Sequence, residues 1–208
     1  MRILSSPAST LDVSNALTYG SLFAGVCAFA AALQGSAAAC GLLLATAVVL
    51  DTFDGRFART VRARSGEARQ AAEIGEQLDS LVDVVTFGMV PVATASVLFH
   101  VSGAMWWGAA FFYVASAVTR LGFYNLTHER TEGFVGLPAP VAGLLWSSML
   151  LFQPGPMGLT AMAAVSAAAM IAPMRIPRPT GAALALFVCW PAALIVTHSR
   201  VLLIPRLF

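Results

Sequence analysis

Lysine is absent from this 208-residue chain, and all twelve basic residues are arginine. Charge of either sign is scarce: acids and bases together make up 11% of the residues, against roughly a quarter in an ordinary soluble domain. A net charge of only +2, with no basic stripe interleaved with aromatics, excludes nucleic acid as a partner. The three cysteines, Cys27, Cys40 and Cys189, stand singly in apolar runs. They lack the spacing of a zinc site or a disulfide framework and read as packing residues. The three histidines, His100, His128 and His198, are scattered and form no ligand set. Met1 to Ala32 does not read as a signal peptide, because its apolar stretch is long and its only early base is Arg2. No repeat, low-complexity tract or soluble second domain breaks the chain, so residues 1–208 are expected to form one integral membrane domain.

What fills the sequence is hydrocarbon. Apolar residues make up 58% of it, and the mean hydropathy is +0.79. A chain this short cannot hide so much apolar surface in a water-bounded core, so the lipid bilayer is its solvent. Apolar segments near 13–34, 36–59, 75–98, 103–125, 137–153, 156–173 and 180–197 approach the length of a span. In hydrocarbon such segments must satisfy their own backbone groups, which predicts an all-α, polytopic membrane helical bundle. Residues 2–12 are polar enough for an interfacial lead-in or an irregular end. With the N-terminus inside, Arg2, the five arginines from Arg56 to Arg69, Arg120, Arg130, Arg175 and Arg178 are cytoplasmic, leaving Arg200 and Arg206 outside. The last segment reads equally as a span, a re-entrant helix or a surface helix. Trp106 and Trp107 are expected in an outer aromatic belt.

Seven of the ten acids fall between Asp51 and Asp83. Asp51 and Asp54 close the apolar run of the second segment, and Asp79 and Asp83 open that of the third. Spacings of i,i+3 and i,i+4 put each pair on one helix face. The second span enters the cytoplasm where the third leaves it, so both pairs meet at one depth. Unneutralised carboxylates there repel one another and carry a large desolvation cost. A cation must lie among them, either arginine in an ion-pair network or a divalent metal. An oxygen-only ligand set, without nearby His or Cys, selects hard ions such as Mg²⁺, Mn²⁺ or Ca²⁺. Gly55 and Gly75 leave room for a nucleotide beside the helix backbones, and the planar fork of Arg59 suits phosphate oxygens.

The run Asp51-Thr-Phe-Asp54-Gly55-Arg-Phe-Ala58-Arg59, followed by Gly75-Glu-Gln-Leu-Asp79-Ser-Leu-Val-Asp83, resembles the signature of the CDP-alcohol phosphotransferase family, DxxDGxxAR then GxxxDxxxD. Every signature residue is present. The spacer departs from the pattern: Thr60 to Ile74 make fifteen residues where the family has eight. The extra length goes either into a longer loop or into added helical turns. The stretch from Leu78 to Val92 is similar to the phosphatidylserine synthase branch, as is Gly136-Leu-Pro-Ala-Pro-Val141. Arg120 matches the first arginine of that branch's RLARFN motif, whereas Phe123 replaces the second, and Ser21 replaces an asparagine near the N-terminus.

The resemblance implies six core transmembrane helices plus a C-terminal extra helix, a homodimer, and an active site on the cytoplasmic face of a prokaryotic inner membrane. It implies two divalent cations, Mg²⁺ or Mn²⁺ with Ca²⁺ as a less active substitute, on Asp51, Asp54, Asp79 and Asp83. It further implies Asp83 as general base and Gly55, Ala58, Arg59 and Gly75 as the CDP-binding residues. The expected reaction moves a phosphatidyl group from CDP-diacylglycerol to the hydroxyl of L-serine, releasing CMP. Arg120 is the candidate for the serine carboxylate, with snorkelling to the interface as its bland alternative. Competing readings are the same chemistry on glycerol phosphate, inositol phosphate, choline or ethanolamine, and an ion or proton transporter. A transporter would place its acids nearer the midplane and show paired half-repeats.

Overall fold

A computed structural model describes residues 13–65, 69–127, 133–177 and 180–204. Within the helices, the side chains at 55, 56, 59, 61–65, 69–72 and 182–184 are not described. The lead-in 2–12, Gly66, Arg130, Arg178 and Arg206 lie outside the described residues.

The apolar segments fold as helices, as backbone satisfaction in lipid demands. They are α1 (Ala16–Leu33), α2 (Ala37–Ser65), α3 (Arg69–Asp83), α4 (Val90–Phe99), α5 (Ala104–Thr127), α6 (Ala139–Met149), α7 (Pro156–Ile171) and α8 (Gly181–Leu203). A short 3₁₀ turn, Val13–Asn15, leads into α1. A π-helical segment, Val84–Met89, joins α3 to α4 without a break, so among the described residues seven helical rods stand where seven apolar segments were expected. Among the described residues, four stretches are long and apolar enough to cross a membrane: Val13–Leu33, Ala37–Asp54, Glu73–Phe99 and Ala185–Leu203. The spacer is helical at both ends, with Thr60–Ser65 extending α2 and Arg69–Ile74 beginning α3. Twelve of the fifteen spacer residues are thus helical.

Small residues set the packing. Gly35, at φ +74°, turns the chain between α1 and α2, and the amides of Gly35 and Ser36 bond the carbonyls of Ala32 and Ala31 at 2.9 and 3.0 Å. The two helices then run antiparallel in close contact, because their shared face is largely Ala, Gly, Ser and Cys. The Ser21 hydroxyl donates to the Ala47 carbonyl at 3.2 Å, and the Cys40 thiol to Ala28 at 3.1 Å. Cys40 is thus the packing residue its context indicated.

Helix α2 is the central rod, touching α1, α6 and α8, while α5 lies along α7. Trp106 departs from expectation. It is fully buried and donates from its indole N–H to Ser96 at 2.8 Å, so only Trp107 faces outward. The indole dipole found an internal partner that the aromatic-belt pattern does not anticipate.

Among the described residues, strand contact is confined to two residues on each side. β1 (Phe134–Val135) pairs antiparallel with β2 (Arg175–Ile176), tying the α5–α6 connection to the α7–α8 connection. Gly136, at φ +73°, sits so close to the Met170 carbonyl that a Cβ would collide with it. Pro138 then caps α6, with Pro140 in the first turn where its missing N–H costs nothing. The Gly-Leu-Pro-Ala-Pro stretch is thus a helix start and also a seat against α7.

Candidate active site

The acids converge. Asp51 and Asp54 lie on one face of α2, and Asp79 and Asp83 on one face of α3, as the spacings required. One carboxylate oxygen from each of Asp51, Asp79 and Asp83 falls within 4.8 Å of the other two. Three oxygens this close suit a single hard divalent ion, whose oxygen contacts are roughly 2.0–2.6 Å, after small side-chain adjustments. Asp54 stands beside Asp79 at the edge of the cluster. Its Oδ2 accepts a 3.0 Å hydrogen bond from the Thr18 hydroxyl of α1.

The donor set fits a divalent cation on two further observations. Asp83 is 5% exposed, and its Oδ1 has no hydrogen-bond partner among the described residues. A buried carboxylate oxygen without a donor is costly unless a cation serves it. The three grouped ligands are all oxygen, which favours Mg²⁺, Mn²⁺ or Ca²⁺ over zinc.

Among the described residues, a positive charge from α5 stands beside this cluster. Arg120 is buried, 5% exposed, with Asp83 and Asp51 in electrostatic reach. Its Nε lacks a hydrogen-bond partner among the described residues. Burial removes the snorkelling alternative. The guanidinium carbon lies 5.5 Å over the ring of Tyr124, one turn on, and that ring stacks on Phe134 of β1 with centroids 5.8 Å apart. Phe123, where the branch motif has its second arginine, is half exposed on α5.

The remaining predicted positions flank the cluster. Ala58 is buried on α2, one turn beyond Asp54, and Gly75 is buried on α3, one turn before Asp79. Gly55 and Arg59 lie in the same stretch of α2.

Three features escaped sequence reasoning. Thr18 carries no motif that announces a bond to Asp54. Ser80, between the two acids of α3, donates to Asn125 of α5 at 3.0 Å, a tie between helices that local pattern cannot reveal. The π segment begins at the residue after Asp83. Its one signal was Pro91, since a proline inside a helix disturbs the turn before it.

A family profile described as CDP-alcohol phosphatidyltransferase matches residues 11–190. The chain is similar to the CDP-diacylglycerol–serine O-phosphatidyltransferase of Mycobacterium tuberculosis strain H37Rv, 32% identical over 146 residues, covering 67% of this chain and 49% of that protein. Its similarity to the Bacillus subtilis protein of the same name is 31% over 129 residues, covering 62% and 69% respectively. To the archaetidylserine synthase of Methanothermobacter thermautotrophicus it is 31% over 122 residues, covering 57% and 49%. The chain spans about half the length of the mycobacterial and archaeal relatives it matches.

Proposed function

This chain belongs to the CDP-alcohol phosphatidyltransferase family, and from that premise we propose that it transfers a phosphatidyl group from CDP-diacylglycerol to the hydroxyl of L-serine. The observation that carries the reading is the meeting of Asp51, Asp79 and Asp83 within 4.8 Å, with buried Arg120 beside them. Serine as acceptor is supported by the names of the relatives, which specify a serine product or substrate, and by the cation at position 120.

Asp51, Asp54, Asp79 and Asp83 would hold two divalent cations, Mg²⁺ or Mn²⁺ with Ca²⁺ as a less active substitute. Such ions, when bound, neutralise and orient the diphosphate. Asp83 takes the proton from the serine hydroxyl. The freed oxygen forms a bond to the phosphorus that carries diacylglycerol, the bond from that phosphorus to CMP breaks, and CMP departs with the electron pair. Arg120 pairs with the serine carboxylate through its planar fork. Gly55, Ala58, Arg59 and Gly75 line the CDP-binding side, where the missing or small side chains admit the nucleotide and Arg59 meets a phosphate. Direct attack requires no covalent enzyme intermediate.

The arginine distribution supports a site facing the cytoplasm, and the family resemblance adds a bacterial inner membrane and a homodimer. Many large apolar side chains, among them Phe23, Leu81, Phe111 and Leu186, are exposed on the helices, as contact with a lipid bilayer requires.

The test is CMP release by purified protein given CDP-diacylglycerol, Mn²⁺ or Mg²⁺, and a panel of alcohols. Release with serine is expected. Release with another alcohol and none with serine overturns the acceptor, and no release with any alcohol overturns the reaction.

A further inference from the structure

We propose that Tyr124 and Phe134 are positioning residues that hold Arg120 ready for the acceptor's carboxylate, and that the β1–β2 ladder thereby tunes acceptor affinity. The inference rests on the reading that Arg120 binds that carboxylate.

An arginine side chain has many rotamers, and a two-pronged bond to a carboxylate requires one of them. Asp83 and Asp51 attract the guanidinium toward the acid cluster. Left to that attraction, Arg120 would swing into the site and neutralise the acids itself, competing with both cation and acceptor. The Tyr124 ring opposes the swing, because the guanidinium carbon sits over its face at 5.5 Å. Attraction between a cation and an aromatic face holds the fork in place without using any of its N–H donors. The Nε–H stays available: it has no hydrogen-bond partner among the described residues.

Tyr124 is itself backed. Phe134 lies nearly parallel to it, with centroids 5.8 Å apart and 25° between the planes. Phe134 pairs with Ile176, Val135 with Arg175, and the Gly136 amide bonds the Met174 carbonyl at 2.9 Å. Gly133, at φ +95°, packs so tightly on Ile176 and Pro177 that a side chain there meets backbone. The connection from α7 to α8 is thus linked through Phe134 and Tyr124 to the one buried cation near the acids among the described residues.

The experiment measures KM separately for serine and for CDP-diacylglycerol in mixed micelles of the full chain, with thermal unfolding followed in parallel. Tyr124→Leu is expected to raise the serine KM about ten-fold, the size of a partly buried cation–aromatic contact, while the CDP-diacylglycerol KM stays unchanged. Phe134→Leu raises the serine KM by a smaller factor, and Phe134→Tyr, which keeps a ring in the stack, restores it. Arg120→Gln serves as the reference. If Arg120→Gln raises the serine KM and Tyr124→Leu does not, the positioning role is wrong and the Arg120 reading stands. If Arg120→Gln leaves the serine KM unchanged, the Arg120 reading itself fails. Equal rises in both KM values, tracking a lower unfolding temperature, reduce the stack to a structural brace and overturn the proposal.

Discussion

The Tyr113 hydroxyl donates a 2.6 Å hydrogen bond to the carbonyl of Phe87. Pro91 stands four residues beyond Phe87 and has no N–H to offer that carbonyl. A side chain from α5 thus supplies the donor that the α4 backbone lacks. Both rings are fully buried, so water cannot substitute. The bond pins the π segment that follows Asp83, and through it the depth at which Asp83 meets the other acids.

Tyr113→Phe removes only that donor. Leaving a buried carbonyl short of a partner costs about 1–3 kcal/mol, so the unfolding temperature in detergent should fall by several degrees. Turnover should fall with it, because the segment carrying Asp83 loses a restraint. An unchanged unfolding temperature would refute the role assigned to Tyr113.

Thr18→Val tests the edge of the acid cluster. The hydroxyl bonded to Asp54 at 3.0 Å orients a candidate metal ligand. Loss of such support typically weakens metal affinity by roughly 10–100-fold. The Mn²⁺ concentration giving half-maximal CMP release should rise accordingly, and Thr18→Ser should stay close to the parent. An unshifted Mn²⁺ titration would remove Thr18 from the site.

Asp83→Asn separates binding from chemistry. Asparagine keeps the shape of the side chain but cannot accept the proton that the proposed reaction gives to Asp83. Turnover should drop on the order of 10²–10⁴-fold, the usual contribution of a positioned base, while CDP binding measured by calorimetry survives. Undiminished turnover assigns the base elsewhere. A chelator added to the parent protein should abolish CMP release, with activity returning on addition of Mg²⁺ or Mn²⁺.

Gly41→Ala probes how α8 is held. His198 is fully buried, its Nε2 lies 3.0 Å from the Ser147 carbonyl, and Ser147 donates to the Gly41 carbonyl at 2.8 Å. A Cβ at Gly41 would fall inside the imidazole. The alanine should destabilise the protein by roughly 1–3 kcal/mol through overpacking. In a His198→Ala background the same change should cost almost nothing, a coupling that a double-mutant cycle reads directly. Equal costs in both backgrounds would place the clash elsewhere.

Much was legible without coordinates. The seven apolar segments agree with the helices to within a few residues at most ends, since hydrocarbon admits little but helix. The two acid pairs were legible because i,i+3 and i,i+4 spacings are geometric facts of any helix. The extension of α2 to Ser65 was left open, because polar arginine-rich sequence is as compatible with a loop as with an exposed helical turn.

The sequence by itself determined the solvent, the helices and which acids share a face, because these follow from composition and from periods repeated along one strand of chain. Only the tertiary structure decided that Arg120 is buried beside Asp83, that Thr18 supports Asp54, that Tyr113 completes the Phe87 carbonyl, and that Phe134 backs Tyr124. Each of those is a contact between segments distant in the chain. A single polar atom can satisfy many partners, and packing alone selects the one it meets.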